Sequence, residues 1–185
     1  MGKENKKVVL AYSGGLDTTY CAIYLSKIKG LEVHALTVNT GGFSPDEINA
    51  IEARAKRLGV ASFKSVDVTE DYYQSCIRYL IFGNVLKNAT YPLSVSAERM
   101  VQAIAVAKYV QETDAAFVAH GSTGAGNDQV RFDMVFQSIV PQAEILTPIR
   151  DLKLSRDQEI SFLKEHGVTM NFEKAQYSIN KGLWG

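Results

Sequence analysis

The amino-acid sequence predicts a three-layer α/β/α domain built on a mostly parallel five-stranded sheet. Three observations carry that expectation. Short apolar, β-branched runs alternate with longer helical patterns across the first 150 residues, the order that gives parallel strands, right-handed crossovers and helices on both faces. Helix starts and stops are marked by capping residues and glycines. Two glycine-rich loops follow the first and fourth strand patterns, at the end of such a sheet where ligands bind.

Residues 7–11 (KVVLA) form the first buried strand, and a helical pattern over residues 17–29 ends at Gly30. Residues 32–38 read as strand two. Ser44, Pro45 and Glu47 announce a helix to about residue 58, with Ser44 as N-cap, Pro45 at the first helical position and Glu47 closing a capping box. Residues 61–66 are strand three, and Thr69 caps a helix to residue 82. A loop over residues 88–94 leads into a long helix over residues 96–112, and residues 116–119 are strand four. Residues 128–138 are helical, residues 144–146 form a weak fifth strand, and Ser155 caps a last helix to residue 165.

Composition narrows the functional classes. At 185 residues, with 46% apolar and 22% charged side chains, the chain fits one soluble domain. Acids and bases balance at 20 each, so no basic excess marks a nucleic-acid groove and no nucleic-acid partner is expected. No apolar run reaches the roughly 18 residues of a membrane span, so no membrane partner is expected either. The polar start MGKENKK is not a signal peptide, and Lys6 breaks the myristoylation pattern. Cys21 and Cys76 lie far apart in helical patterns and read as incidental thiols of a reduced, cytoplasmic protein. His34, His120 and His166 form no metal-ligand pattern.

The first glycine loop is Ser13-Gly14-Gly15-Leu16-Asp17-Thr18-Thr19. It lacks the Lys of a GxxxxGK[ST] loop and the spacing of GxGxxG. Its glycines let backbone approach an anion and permit positive φ, and its amides converge at a helix N-terminus where the dipole favours negative charge. Ser13, Thr18 and Thr19 add hydroxyl donors. Asp17 repels an anion, so it is either a helix cap or a ligand for Mg²⁺ riding on phosphates. The second loop runs from His120 through Gly121, Thr123, Asn127 and Asp128 to Arg131. It suits a zwitterionic amino acid, with Asp128 facing an ammonium and Thr123 and Asn127 a carboxylate, while Arg131 offers a fork to a second carboxylate.

The first loop resembles the SGGxD[ST] PP-loop of the ATP pyrophosphatases, whose fold is adenine nucleotide alpha hydrolase-like. Four blocks together resemble argininosuccinate synthase over nearly the whole chain: AYSGGLDTT, the run YPLSVSAER from Tyr91, the loop from His120 to Phe132, and YSINKGLWG from Tyr177. That resemblance implies ATP-dependent ligation of citrulline and aspartate to argininosuccinate through citrullyl-AMP, with AMP and pyrophosphate released and Mg²⁺ as companion ion. It implies ATP contacts along Ala11, Tyr12, Ser13, Gly14, Gly15, Leu16, Asp17, Thr18 and Thr19, with Val38 on the adenine side and Gly121 on the nucleotide. Citrulline would be held by Tyr91, Ser96, Asn127, Arg131 and Ser178. Aspartate would be held by Thr123, Asn127 and Asp128. No residue forms a covalent intermediate, so catalysis is positioning and electrostatics.

Four departures stand out against the family pattern: Thr19 where Ser is usual, Ala125 where Lys is usual, and Asn180 and Gly182 where Asp and Asn are usual. Family members continue into a synthetase domain and form homotetramers. Residues 1–168 are therefore expected to be the nucleotide-binding domain, and residues 169–185 a linker or the start of the next domain. On that expectation the chain alone makes no argininosuccinate. Two other readings fit the first loop: another PP-loop adenylating enzyme, or a stand-alone, non-catalytic ATP-binding module. Thiolating members want paired cysteines and a basic surface, and amide-forming ones have no need of Thr123, Asn127 and Asp128 together.

Overall fold

Strands β1 (Lys7–Ala11), β2 (Glu32–Asn39) and β3 (Ser62–Asp67) are followed by a short antiparallel ribbon, β4 (Leu86–Lys87) with β5 (Tyr91–Pro92), and then by β6 (Phe117–Ala119) and β7 (Glu144–Leu146). This is a computed structural model describing residues 5–172 and 182–184. The main sheet has the order β3-β2-β1-β6-β7, with every neighbouring pair parallel. The chain winds one way from β1 to β3 and the other way through β6 and β7, so the switch point falls between β1 and β6, where Leu10 pairs with Ala119. A crevice opens beyond the strand ends at such a point.

Alternation along the central strands explains the three layers. Val8 and Leu10 of β1, with Val33 and Ala35 of β2, turn to one face, and Val9, Leu36 and Val38 to the other. The first face is covered by α1 (Leu16–Ile23), α2 (Pro45–Arg57) and two later helices, α7 (Pro148–Asp151) and α8 (Arg156–Glu165). Between them in sequence come α3 (Thr69–Tyr72), α4 (Arg78–Phe82), α5 (Ser94–Thr113) and α6 (Asp128–Ile139). The long α5 and α6 cover the second face through Ala103, Val106, Val110, Phe132 and Phe136. Among the described residues, no helix is long and apolar enough to cross a membrane.

Several local expectations meet corrections. The helix starting at Thr69 has Val68 at its N-cap position, and Thr69 donates its N–H to Asp67 Oδ1 at 2.9 Å rather than capping the turn itself. The first and third helices each pass through a wider π-type turn, over Tyr24–Ile28 and Tyr73–Ile77. The expected loop over residues 88–94 contains strand β5 and ends on Ser94, the first residue of α5. Asn88 and Ala89 adopt φ of 56° and 57°, and Thr90 N–H donates to Lys87 O, the pattern of a type I′ turn, inside a three-residue connection that pairs Lys87 with Tyr91. The Ser44–Glu47 capping box forms as expected, and Ser155 caps its helix as expected, with Gln158 completing a box there as well. Of the expected linker over residues 169–185, Met170 and Phe172 pack against the core, while residues 173–181 and 185 lie outside the described residues.

Phe136 is fully buried against Phe132 and His120, whereas Phe82 is 82% exposed. Truncating a buried Phe leaves a cavity as well as losing its transfer free energy. Phe136→Ala is therefore expected to cost about 3–5 kcal/mol in denaturant unfolding, and Phe82→Ala within about 0.5 kcal/mol. Equal costs would overturn this assignment of the core.

Candidate functional site

The first glycine loop joins β1 to α1. Gly14 adopts φ +72°, and a Cβ there would stand 3.1 Å from Ile51 Cγ1, so both backbone and packing demand glycine. The Gly14 carbonyl accepts a hydrogen bond from Arg54 Nη1 of α2. Ser13 N–H donates to Thr18 Oγ1 at 3.3 Å, and the two hydroxyls lie 3.2 Å apart. Ser13 and Gly15 are exposed and Asp17 and Thr18 half-buried, whereas Tyr12, Leu16 and Thr19 are buried and Ala11 is half-buried at the strand end. The exposed members of the expected ATP set thus sit on a scaffold made by the others. The capping reading of Asp17 fails: Gly15 holds the N-cap position without a side-chain cap, and Asp17 lies inside the first turn.

Glu159 of α8 reaches the same turn. It is 1% exposed, its carboxyl is hydrogen-bonded to Asp17, and its Oε2 has no partner. Burial, reinforced by the charge of Asp17, pushes it up to about 8, with Arg156 opposing. At neutral pH Glu159 therefore keeps its proton beneath the loop.

The second loop leaves β6 next to β1. A Cβ on Gly121 would lie 3.2 Å from Asp17 Cβ, Asp17 C and Thr18 Cγ2. The absence of a side chain is what lets the two loops touch. His120, 1% exposed and stacked on Phe132, accepts Ser122 N–H at Nδ1 (3.2 Å) and hydrogen-bonds Asp133 through Nε2 (3.0 Å). That pattern fixes the proton on Nε2. The His120 hydrogen bond, followed by Arg150, whose Nη1 stands 2.6 Å from Asp133 Oδ2, holds the Asp133 carboxyl below its usual range. Gln129 Nε2 donates to the carbonyls of Gly124 and Gly126, which pins the loop turns. Thr123, Ala125 and Asn127 remain exposed at the rim.

Three of the expected amino-acid-binding residues meet in one network. Arg131 donates to Asp128 Oδ1 at 2.6 Å and to Ser96 Oγ at 2.8 Å. Arg99 Nε donates to the other Asp128 oxygen at 3.1 Å, and Arg99 Nη1 to Gln102 Oε1 at 2.7 Å. Behind Arg99 sits Glu98, 4% exposed, which accepts from Thr40 Oγ1 at 2.5 Å and Gln102 Nε2 at 3.3 Å. Tyr91 lies on β5, and Ser178 lies outside the described residues. Val38 is 8% exposed and belongs to the core; beyond it, a groove of about 360 Å³ opens between Asn39, Phe43, Ile48 and Asp67. Arg54, Glu98, Arg99, Thr40 and Glu159 are site-side residues that the sequence reading missed. For Arg99 the signal was its i, i+3 spacing from Ser96 on a helix; the others arrive from distant elements and leave no local mark.

His34 bonds Ser62 and Glu32 at the opposite end of β2, and His166 bonds the Phe162 carbonyl, so both serve the scaffold. Cys21 and Cys76 are free thiols, and burial pushes the Cys21 thiol up.

Glu159 gives a pH prediction with a definite sign. An acid raised from 4.5 to about 8 keeps a proton in the folded state that the unfolded state loses, so its contribution to stability falls as pH rises between those values. Glu159→Gln preserves a donor to Asp17 and cannot ionise. Its melting temperature relative to the parent chain is expected to climb across that window and level off above it. A difference independent of pH would refute the raised Glu159 carboxyl.

Comparison with known proteins bears on the whole chain. The model of the arginosuccinate synthase N-terminal HUP domain matches residues 7–169. The argininosuccinate synthase of Sulfurisphaera tokodaii is 37% identical over 179 residues, covering 97% of this chain and 45% of that protein. The argininosuccinate synthases of Methanocaldococcus jannaschii and Methanococcus maripaludis are each 40% identical, over 96% and 98% of this chain and 44% and 46% of theirs. The chain thus spans less than half the length of these relatives. With the parallel sheet and both glycine loops in place, it belongs to the argininosuccinate synthase family and corresponds to its N-terminal HUP domain.

Proposed function

We propose that this chain binds ATP across its two glycine-rich loops and positions citrulline and aspartate for ATP-dependent ligation to argininosuccinate. In that reaction the ureido oxygen of citrulline attacks the α-phosphorus of ATP, giving citrullyl-AMP and releasing pyrophosphate. The aspartate amine then attacks the activated ureido carbon, loses its proton, and AMP departs. The observation that carries the reading is the contact of Gly121 with Asp17 and Thr18, which makes one cradle of two loops at the sheet's switch point. Ser13, Gly15 and the first amides of α1 offer donors to phosphate oxygens there.

Mg²⁺ fits this site as a companion of the phosphates rather than as a resident of a protein cage. Among the described residues no three His, Cys, Asp or Glu gather to hold a metal. Asp17 is the carboxylate at the loop that would meet the ion, whose chemistry is to neutralise phosphate charge. Arg131 and Ser96 suit the citrulline carboxylate, and Asp128 the aspartate ammonium, with Thr123 and Asn127 at the exposed rim.

Calorimetry of the chain with Mg-ATP, citrulline and aspartate tests the assignment. Asp128→Asn is expected to weaken aspartate binding about tenfold or more, the scale of a lost charge-assisted hydrogen bond, and ATP binding less than about twofold. Equal losses for both ligands would sink the assignment.

A further inference from the structure

The last described residues return to the candidate site. Leu183 N–H donates to the Thr40 carbonyl at 2.8 Å, just past the end of β2. Gly41, at φ +90°, lies under Leu183 so closely that a Cβ there would stand 3.1 Å from Leu183 Cβ. Gly182 faces Glu98 in the same way: an added Cβ would meet Oε1, Cδ and Oε2 at 3.0, 3.1 and 3.2 Å. A glutamate end is ordinarily free to swing aside, but this one is 4% exposed and tied to Thr40 and Gln102, with Arg99 Nη1 4.0 Å away. Retreat would break the short Thr40 bond and disturb Arg99, which in turn holds Asp128.

We propose that Glu98 is a positioning residue for the substrate site, its carboxylate serving at once as the floor that seats Gly182–Trp184 and as the support of Arg99 behind Asp128. The residue at position 182 is glycine because that floor leaves no room for a side chain. Seating of the C-terminal segment and placement of the Asp128 carboxylate are thereby coupled through one buried group. The link to substrate rests on the function proposed above; the seat itself does not.

Trp184 is the sole tryptophan of the chain, so its emission and anisotropy report the seat directly, without ligand. Gly182→Ala is expected to shift that emission to the red and lower its anisotropy while leaving the thermal midpoint of the domain unchanged. Combining it with Glu98→Asp, which withdraws the carboxylate by one methylene and keeps the charge, is expected to restore both signals. Glu98→Gln, equal in size to glutamate, is expected not to restore them. An unperturbed Trp184 in Gly182→Ala, failure of Glu98→Asp to rescue, or equal rescue by Glu98→Gln would each overturn the proposal. Aspartate titrations of the same set read the coupling: Gly182→Ala weakens aspartate binding and Glu98→Asp recovers it, with ATP binding constant. If seating behaves as stated while the parent chain binds no aspartate, the proposed function fails and the seat stands. If aspartate binds and Gly182→Ala leaves its affinity intact, the coupling to Asp128 is wrong.

Discussion

The contact between Gly121 and the first turn of α1 is the constraint on which the site depends. β1 and β6 are adjacent and in parallel register, so the loops leaving them emerge side by side. Any Cβ at position 121 would press on Asp17 and Thr18. Without one, the second loop comes directly against Asp17 and Thr18 in the first turn of α1. His120 then fixes the approach angle, because its ring is buried against Phe132 and its two nitrogens are both used, one by Ser122 and one by Asp133. A buried, fully bonded side chain of this kind over-determines the loop beside it.

On the proposed reading, charge around the first loop makes an anion site where Asp17 of the turn meets Glu159 of α8. Asp17 alone would oppose a phosphate. Glu159 would double the opposition if ionised, yet its burial keeps it protonated to about pH 8. Arg54 adds positive charge on the far side of Gly14 by binding its carbonyl. The α1 dipole then presents its positive end at the loop. The cost of burying Glu159 without a partner for Oε2 is a local conflict, and such conflicts tend to persist where function holds them in place.

What was legible in the sequence was what is local. Ser44 announces its helix together with Glu47 three positions on, Ser155 announces its own as a cap, and both helices start there. The apolar run of β1 marks a buried strand, the alternation of strand and helix patterns marks a sheet covered on both faces, and each glycine loop falls where its flanking pattern says. The hairpin β4–β5 escaped because it depends on Ala89 at positive φ, a conformation alanine rarely adopts and so rarely signals. The network behind Asp128 escaped for a different reason. Ser96, Arg131 and Asp128 were visible as single residues of a motif. Their shared arrangement with Arg99, Glu98, Thr40 and Gly182 exists only after α5, α6 and the end of β2 are brought together.

On the proposed reading, that arrangement also explains how a site for two zwitterions stays stable before either arrives. Asp128 and Arg131 are both partly buried, and a partly buried charge without a partner is costly. In the structure they satisfy each other at 2.6 Å, and Arg99 shares the load. On the proposed reading, a substrate carboxylate replaces Asp128 on Arg131, and a substrate ammonium replaces Arg131 on Asp128. Every charge that loses a protein partner gains a ligand one of the same sign as the partner lost. Opening the pair for one substrate leaves the opposite charge exposed to the other, so the two bind most favourably together. The Arg99–Glu98 support keeps Asp128 from swinging away during that exchange, and it places the control of the exchange in α5 and the segment seated upon it rather than in the loop that gave the site its motif.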